Sequence, residues 1–219
     1  MELVTIGHSN HSIEAFIALL HKHNVNALAD VRSHPYSRYL PHFNRLPLKD
    51  ALSSAKIHYE FLGRELGARP ENPECYVDGK AVYEKIAVTE VFQQGIQRVL
   101  KGVKRYKIAL MCAEKDPIVC HRAILVCQHL RDQDNLEIQH IKSNGDLESH
   151  HKLEDRLLTK HGLKKLALVT TSVQLSLFDE MPFNNPTHNL PSKEASIKEA
   201  YRLQGDEIAY VERRGNEHE

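Results

Sequence analysis

One stretch of the sequence, residues 107–130, constrains the fold of this chain more than any other. It opens with a short, continuous apolar run over 108–111, which is typical of a strand buried on both faces of a sheet. After a loop over 112–115, Asp116 and Pro117 form a strong helix start, because a capping carboxylate precedes a proline at the first helical position. The stretch therefore predicts a buried strand followed by a helix. The apolar stripe predicted for that helix consists of Val119, Ala123, Val126 and Leu130.

A strand, a helix and a second strand at the start of the chain indicate the type of sheet. The strands are predicted over 3–6 and 27–31, and the helix between them has Ser12 as its cap. Such a unit places its two strands parallel, with a right-handed crossover. Further strands are predicted over 57–61 and 136–141, further helices over 48–55 and 80–101, and long loops over 33–47 and 63–79. The predicted fold class is α/β, with a mostly parallel sheet in three layers and helices on both faces.

The character of the chain changes after about residue 162. We predict one α/β domain over residues 1–162 and a C-terminal extension over 163–219. The extension is expected to be partly disordered, because its prolines and its polar, charged segment reduce the apolar surface that it can bury. One helix is predicted within it, over about 197–210.

Composition limits the classes of partner. The 29 lysines and arginines balance the 29 aspartates and glutamates, so no overall field directs the protein to nucleic acid or to a membrane. No apolar run approaches the ~20 residues of a membrane-spanning helix, and no membrane partner is expected. The four cysteines form no CxxC pair, and the N-terminus has no signal-peptide pattern. We therefore predict a cytoplasmic protein in a reducing compartment.

Reactive side chains follow three of the predicted strands, at the point where each strand ends. These residues are His8 and Ser9, Asp30 and Arg32, and Cys112 and Glu114, and the segment after the third strand adds Cys120, His121 and Arg122. The carboxyl ends of parallel strands meet at one edge of a sheet, where ligands bind in open α/β folds. For each residue alone a structural role is the simpler interpretation, such as an ion pair between Asp30 and Arg32. Together the three groups favour a single polar cavity.

These residues permit more than one chemistry. Arg32, Arg38 and Arg122, with the amides at the predicted helix N-terminus, suit a phosphate group. Cys120, in the first turn of that helix, has the position of a nucleophilic thiol with a lowered pKa. The loop of phosphatases and rhodaneses, however, has an arginine six residues after the cysteine, whereas residues 118 and 126 are isoleucine and valine here. That loop is therefore absent from this sequence.

A metal site is a further alternative at the same residues. Cys112, Cys120 and His121 are chemically suitable ligands. Their spacing matches none of the common zinc patterns, and adjacent residues on a helix diverge by about a third of a turn. We therefore assign no metal and no cofactor from the sequence.

Four segments, in this order along the chain, resemble one family. They are TIGHSN, ADVRSHPYSR, FN and LMCAEKDPIVCHR, and the set resembles the family catalogued as domain of unknown function 488. The resemblance covers about residues 3–145. It implies an α/β core and a polar pocket built from these segments, and it implies no settled activity. The family pattern is present at Gly7, His8, Ser9, Asp30, Arg32, Ser37, Arg38, Phe43, Asn44, Cys112, Glu114, Cys120, His121 and Arg122.

A short peptide in the C-terminal extension resembles a docking sequence. Gln174, Leu175, Ser176, Leu177 and Phe178 are similar to the peptide with which bacterial polymerases and repair proteins bind the DNA sliding clamp. In such a peptide the last two apolar side chains enter a pocket and the glutamine forms a hydrogen bond at its edge. The alternative is that the apolar residues pack onto the domain as a strand or a helix.

The leading hypothesis combines the pocket and the peptide in a bacterial DNA-maintenance protein with a role in DNA repair. It would be a hydrolase, for example of the glycosidase type, that acts on a nucleotide, a nucleic-acid end or a damaged base. Its predicted catalytic residues are Asp30, Glu114, His121 and His8. Its predicted substrate-binding residues are Ser9, Arg32, Arg38, Asn44, Cys112, Cys120 and Arg122. The sliding clamp is the predicted partner, bound through Gln174, Leu175, Leu177 and Phe178.

Two other classes of function stay open at this stage. One is a thiol- or metal-dependent protein that uses Cys112 and Cys120 and has no connection with DNA. The other is a binding module without catalysis. The residues name neither the substrate nor the bond that is broken.

Overall fold

A computed structural model describes residues 1–164 and 192–212 of the chain. Its strands are β1 (Glu2–Gly7), β2 (Ala27–Asp30), β3 (His58–Phe61), β4 (Tyr76–Val77), β5 (Lys80–Ala81), β6 (Ile108–Cys112), β7 (Glu137–Ile141) and β8 (Leu147–Ser149). Its α-helices are α1 (Ile13–Lys22), α2 (Arg45–Ser54), α3 (Gly63–Leu66), α4 (Tyr83–Ala87), α5 (Glu90–Gly102), α6 (His150–Lys160) and α7 (Lys193–Ile208). Within the described residues, no helix combines the length and the apolar character that crossing a membrane requires.

The main sheet has six strands in the order β3-β2-β6-β1-β7-β8. Every neighbouring pair is parallel except β7 and β8, which are antiparallel. Gly7 of β1 is in register with Cys112 of β6, and Asp30 of β2 with Met111 of β6. The carboxyl ends of these three strands therefore lie side by side. The predicted α/β fold with a mostly parallel sheet is confirmed.

The central strand β6 shows why the fold has three layers. Ile108, Leu110 and Cys112 belong to one apolar cluster, which includes side chains of α5, α6 and α7. Ala109 and Met111 belong to a second cluster, which includes side chains of α1 and α2. Because successive side chains of a strand point to opposite faces, the continuous apolar run of β6 requires helices on both sides of the sheet.

Two helix starts follow their predicted capping residues. The Ser12 side chain accepts a hydrogen bond from the Ala15 amide at the start of α1. The Asp116 carboxylate accepts one from the Ile118 amide, with Pro117 at the first helical position. Both caps satisfy amide groups that have no partner inside a helix.

The helix predicted over 80–101 is wrong in its extent. Its first two residues form β5, and the rest is divided between α4 and α5. The Thr89 hydroxyl accepts a hydrogen bond from the Phe92 amide and so starts a new helix inside the predicted one. The loop predicted over 63–79 contains α3 and β4, and α2 begins at residue 45 rather than 48.

The segment after Pro117 does not form the single amphipathic helix predicted for it. A 3-10 turn (Pro117–Val119) is followed by Cys120 in an extended conformation, with φ −133° and ψ 135°. The chain then continues as a π-helical turn (Arg122–Val126) and a second 3-10 turn (Cys127–His129). Val119 is therefore 43% exposed, although it was predicted on the buried stripe. The other members of that stripe, Ala123, Val126 and Leu130, are buried.

Part of the predicted C-terminal extension packs against the α/β domain. Helix α7 buries Ile197, Ala200 and Tyr201 in the same apolar cluster as one face of the sheet. After α7, the backbone carbonyl of Tyr210 accepts a hydrogen bond from Ala81 in β5. The predicted clamp-binding peptide, residues 174–178, lies outside the described residues. The predicted domain boundary at residue 162 stays a prediction.

Candidate functional site

A cavity of about 310 Å³ lies at the carboxyl ends of β2 and β6. Its polar lining residues are Arg32, Ser33, His34, Arg69, Cys112, Glu114 and His121. Its aromatic lining residues are Tyr36, Tyr83 and Tyr210. A volume of this size lies at the lower end of the range for small-molecule sites, roughly 300–1,000 Å³.

The structure brings together only some of the residues that were predicted to line one cavity. Arg32, Cys112, Glu114 and His121 are on its wall. Five others are not, namely His8, Ser9, Asp30, Cys120 and Arg122. The prediction of a single cavity lined by all of them is therefore wrong, because several strand-end side chains turn into the protein rather than towards the cavity.

Four side chains form a compact group beside the cavity, which we call the cysteine cluster: Cys112, Glu114, Cys120 and His121. Glu114 Oε2 is hydrogen-bonded to both thiols, 3.0 Å from Cys112 Sγ and 2.9 Å from Cys120 Sγ. His121 Nδ1 lies 3.6 Å from Cys112 Sγ. The cluster thus combines two sulfurs, a carboxylate and an imidazole within direct contact of one another.

The cysteine cluster has the donor atoms for a metal ion. The ligand atoms of Cys112, Cys120 and His121 all lie within 4.8 Å of one another. The geometric objection raised from the sequence is wrong, because Cys120 has an extended backbone and is not in a helix with His121. Side chains of these adjacent residues therefore converge instead of diverging.

The loop that carries Glu114 is held from two sides. A Cβ atom at Gly7 would lie 1.9 Å from the Glu114 carbonyl oxygen, so β1 approaches the loop in a way that only glycine permits. Arg122 is completely buried and donates hydrogen bonds to the carbonyl oxygens of Glu114 (2.7 Å) and Lys115 (3.3 Å). Arg122 was predicted to bind substrate, but its guanidinium binds the loop and has no access to the cavity.

Burial and neighbouring charges shift the pKa values within the cluster. The hydrogen bond with Cys120 and burial raise the pKa of Cys112 well above its ordinary value. Burial opposes ionisation of Cys120 as well, but the hydrogen bond with Cys112 and the Arg122 charge hold the pKa of Cys120 well below its ordinary value. Negative charge is therefore favoured on Cys120 rather than on Cys112.

Glu114 is an exposed residue, but its Oε2 atom contacts the two sulfurs. This local desolvation and the charge of Cys120 raise the pKa of Glu114. Glu114 is thus the member of the cluster that combines contact with the sulfurs and access to the cavity.

Asp30 and Arg32 form the ion pair that was the simpler interpretation from the sequence. Asp30 is completely buried, and its two oxygens accept hydrogen bonds from Arg32 Nε (2.9 Å), Arg32 Nη2 (2.6 Å) and the Tyr59 hydroxyl (2.9 Å). Arg32 Nη2 also donates to the Phe43 carbonyl. The structure therefore places Asp30, a predicted catalytic residue, in a satisfied network away from the cavity.

The remaining predicted residues are not on the cavity wall. His8 stacks on Phe43 with 4.4 Å between ring centroids, and burial lowers its pKa to about 4. Ser9 has a left-handed backbone, with φ 47°, in the turn after β1. Asn44 Oδ1 accepts a hydrogen bond from the Ser37 amide, and Arg38 is exposed. None of these four side chains lines the cavity.

Several residues that line the cavity were not predicted as site residues from the sequence. His34 and Tyr36 stand in the segment ADVRSHPYSR, next to residues that were selected. Arg69 belongs to a loop with no reactive pattern, and its guanidinium lies 4.2 Å from the centroid of the Tyr210 ring. Tyr210 follows α7, far along the chain from the strand ends, and no sequence signal connects it with them.

Comparison with known families agrees with part of the resemblance seen in the sequence. The family model described as domain of unknown function DUF488 matches residues 12–128, which is more than half of the chain. The matched residues include β2, β6 and the cysteine cluster, but not His8 or Ser9. No curated protein and no solved structure matches the chain.

Proposed function

Because this chain belongs to the DUF488 family, whose description assigns no activity, we propose its function from the site itself. The protein is a hydrolase that acts on a nucleotide, a nucleic-acid end or a damaged base bound in the cavity. The observation that carries the proposal is the position of Glu114, whose carboxylate contacts both sulfurs of the cysteine cluster and lines the cavity. A carboxylate in such a position can take a proton from an attacking water.

The other lining residues of the cavity suit a ligand with an anionic group and a flat ring. Arg69 and His34 are exposed residues that line the cavity, and neither is held in an ion pair with another described residue. Tyr36 and Tyr210 add aromatic faces. Bases stack on aromatic side chains and phosphates bind arginine, so this combination suits a nucleotide. Arg32 lines the cavity too, but its guanidinium is engaged by Asp30.

The catalytic part of this proposal is tested with the full chain and a panel of probes. The probes are mononucleotides and single-stranded oligonucleotides that carry a terminal phosphate, a deaminated base or an alkylated base, and products are followed by mass spectrometry. We expect conversion of at least one probe, and a rate loss of about 10²–10⁴ in Glu114→Gln. Glu84→Gln, which changes an exposed carboxylate outside the cavity, is the matched control. Equal rates for wild type and Glu114→Gln contradict the proposal, as does the absence of any conversion.

The binding part is tested separately. Arg69→Ala removes the guanidinium that lies over Tyr210, and we expect it to weaken binding of the converted probe by about 10-fold or more. Arg105→Ala, an exposed arginine outside the cavity, is the control and should bind as wild type does. Isothermal titration measures both variants, and equal affinities would remove Arg69 from the proposed site.

We also propose that residues 174–178 recruit the enzyme to the DNA sliding clamp. The match of Gln174, Leu175, Leu177 and Phe178 to the clamp-binding pattern supports this partner. Leu177 and Phe178 are the proposed anchors, and anchors of this kind cost at least about 2 kcal/mol each when truncated. We expect Leu177→Ala with Phe178→Ala to abolish capture by purified clamp. Met181→Ala with Phe183→Ala, just beyond the peptide, should leave capture unchanged.

Thermal melting separates docking from packing in the same variants. If the two anchors pack onto the domain instead, the Leu177→Ala, Phe178→Ala variant loses several kcal/mol of stability, since truncation of a buried leucine or phenylalanine costs roughly 2–5 kcal/mol. A large drop in melting temperature, with no clamp binding by the wild type, contradicts recruitment.

A further inference from the structure

We propose that Cys112, Cys120 and His121 bind a zinc ion at the wall of the cavity. Tetrahedral zinc holds a sulfur at about 2.3 Å and an imidazole nitrogen at about 2.0–2.1 Å, so two such donors lie about 3.6 Å apart. Cys112 Sγ and His121 Nδ1 are 3.6 Å apart, and all three donors lie within 4.8 Å of one another. The donors are therefore close to the separations that the ion requires, without a change of fold.

The orientation of His121 supports a role as a ligand. His121 Nε2 lies 3.0 Å from the carbonyl oxygen of Val31, and a carbonyl oxygen only accepts hydrogen bonds. Nε2 therefore carries the proton in the neutral ring, and Nδ1 presents its lone pair towards the thiols. Histidine ligands in metal sites typically donate their other ring N–H to such a carbonyl, which fixes tautomer and ring direction.

The types of donor and the local charge select the ion. Thiolate sulfur and imidazole nitrogen favour zinc over magnesium or calcium, which take oxygen ligands. Two thiolates and the Glu114 carboxylate carry three negative charges, which a zinc ion and the buried Arg122 guanidinium balance. Buried charge is costly unless it is compensated, so the ion explains why two ionisable thiols are buried beside a fully buried arginine.

The position of the site favours a catalytic zinc over a structural one. Cys112, Glu114 and His121 line the cavity, so zinc held by the three ligands would lie at the cavity wall. It would lower the pKa of a bound water, and the Glu114 carboxylate, which contacts both sulfurs, would take the proton of that water as it attacks the substrate. This role for the ion rests on the hydrolase function proposed above, whereas zinc binding itself rests on the donor geometry alone.

A known type of zinc site has the same composition. In zinc-dependent nucleobase deaminases a histidine and two cysteines hold the ion, and a glutamate two residues after the first ligand handles the proton without binding the metal. Here Cys112 and Glu114 have that spacing, followed by Cys120 and His121. The parallel concerns the donor types and the two-residue interval from the first ligand to the glutamate, whereas the CxxC pair of the deaminases has no counterpart here. It supports Glu114 as base rather than ligand.

Zinc binding is tested by metal analysis of the full chain. The protein is stripped with a chelator under reducing conditions, reloaded with zinc and measured by mass spectrometry of the metal. We expect one zinc per chain in the wild type. Cys112→Ser with Cys120→Ser should lose affinity by more than the roughly 10–100-fold that the loss of an outer partner costs. Cys75→Ser, which changes a buried thiol outside the cluster, is the matched control and should keep its zinc.

Cobalt substitution supplies a readout that needs no variant. Cobalt bound by thiolates absorbs strongly in the near ultraviolet, and we expect this band in the wild type, with its loss when zinc is added. Sub-stoichiometric zinc in the wild type without a cobalt–thiolate band overturns the proposal. Equal zinc content in the wild type and the double cysteine variant overturns it as well.

Glu114→Gln distinguishes failure of the zinc site from failure of the hydrolase proposal. We expect this variant to keep its zinc and its cobalt spectrum while losing hydrolysis. Loss of zinc from Glu114→Gln contradicts the assignment of Glu114 as base. Hydrolysis that persists at full rate in the stripped protein overturns the catalytic role of the ion and leaves the proposed hydrolase function standing.

Discussion

Besides His8, the buried histidines of the described residues lie in two regions, and they are used in opposite ways. One is His121 in the cysteine cluster. The others are His140 and His150, which belong to a second group that we call the histidine network: Thr5, His140, His150, Tyr201 and Glu154. Both groups lie next to Arg122, whose Nη1 reaches the Glu114 carbonyl and whose Nε lies 3.3 Å from Thr5 Oγ1.

In the histidine network each donor meets one acceptor. Thr5 Oγ1 lies 2.8 Å from His140 Nδ1, and His140 Nε2 lies 3.0 Å from His150 Nδ1. His150 Nε2 lies 2.8 Å from the Tyr201 hydroxyl, which donates to Glu154 Oε1. When both rings are neutral with the proton on Nε2, each group donates to the next one in the series from Arg122 to Glu154. Every hydrogen bond of the series then has one donor and one acceptor.

The cysteine cluster lacks this alternation. The Cys112 thiol faces both Glu114 Oε2 and His121 Nδ1 with one proton, the Cys120 thiol donates to the same Oε2, and the cluster borders a cavity. A buried polar side chain by itself therefore says little about function. A functional site is indicated where acceptors outnumber the protons available to them, because such a group has capacity for a cation or a reactant.

Substitution of Arg122, which contacts both regions, has the largest expected effect on stability. Arg122→Met leaves two loop carbonyls and the Thr5 hydroxyl without their buried donor, and we expect a loss of about 3–5 kcal/mol in the free energy of unfolding. Urea denaturation measures it. Arg156→Met, which removes a partly exposed guanidinium, should cost about 1 kcal/mol or less. Equal losses of unfolding free energy in the two variants would show that Arg122 stabilises neither region.

Protonation of His140 and His150 at low pH should disrupt the histidine network. Burial lowers the pKa of His150 from 6.5 to about 4, and burial and the His150 charge lower that of His140 well below its ordinary value. The unfolded chain therefore binds more protons than the folded one between pH 6.5 and about 4, and stability falls as the pH falls through this window.

The pH dependence can be assigned to one residue. The lowering at His150 corresponds to about 3 kcal/mol, which is present above pH 6.5 and lost towards pH 4. We expect the slope of unfolding free energy against pH to be shallower in His150→Leu than in the wild type. His151→Gln, which changes an exposed neighbour, should keep the wild-type slope. Identical slopes in all three proteins would argue against this account.

Zinc should stabilise the protein through the cysteine cluster and independently of the histidine network. At a free zinc concentration of about 100 times Kd, binding stabilises the folded state by about 2.7 kcal/mol. We expect this gain in the wild type and in His150→Leu, and no gain in Cys112→Ser with Cys120→Ser. Thermal melting with and without zinc measures the gain, and the comparison between regions fails if the double cysteine variant is stabilised as much as His150→Leu.

The smallest effect is expected outside both regions. Arg38 is exposed and does not line the cavity, although the sequence predicted it as a substrate contact. We expect Arg38→Ala to change stability by less than about 0.5 kcal/mol and to leave binding of the converted nucleotide probe as in the wild type. A loss of affinity as large as that of Arg69→Ala would return Arg38 to the site.

The sequence alone determined the class of fold and the edge of the sheet where the candidate site lies. The apolar run over 108–111 has no polar face, so it required a central strand with helices on both sides. The capping by Ser12 and Asp116 was predictable because it is local: a side chain and an amide three or fewer residues apart suffice. The same locality made Cys112 and Glu114 recognisable as residues at a strand end.

The tertiary structure decided which of these side chains meet. In the sequence, Asp30 and Glu114 were equivalent carboxylates at strand ends. In the structure, Asp30 accepts hydrogen bonds from Arg32 and Tyr59, whose side-chain directions depend on the packing of neighbouring elements. Helical periodicity predicted that Cys120 and His121 diverge, and the extended backbone at Cys120 reverses this. Tyr210 reaches the cavity only because α7 packs back onto the sheet. These outcomes depend on contacts between residues far apart in the chain, which local patterns do not encode.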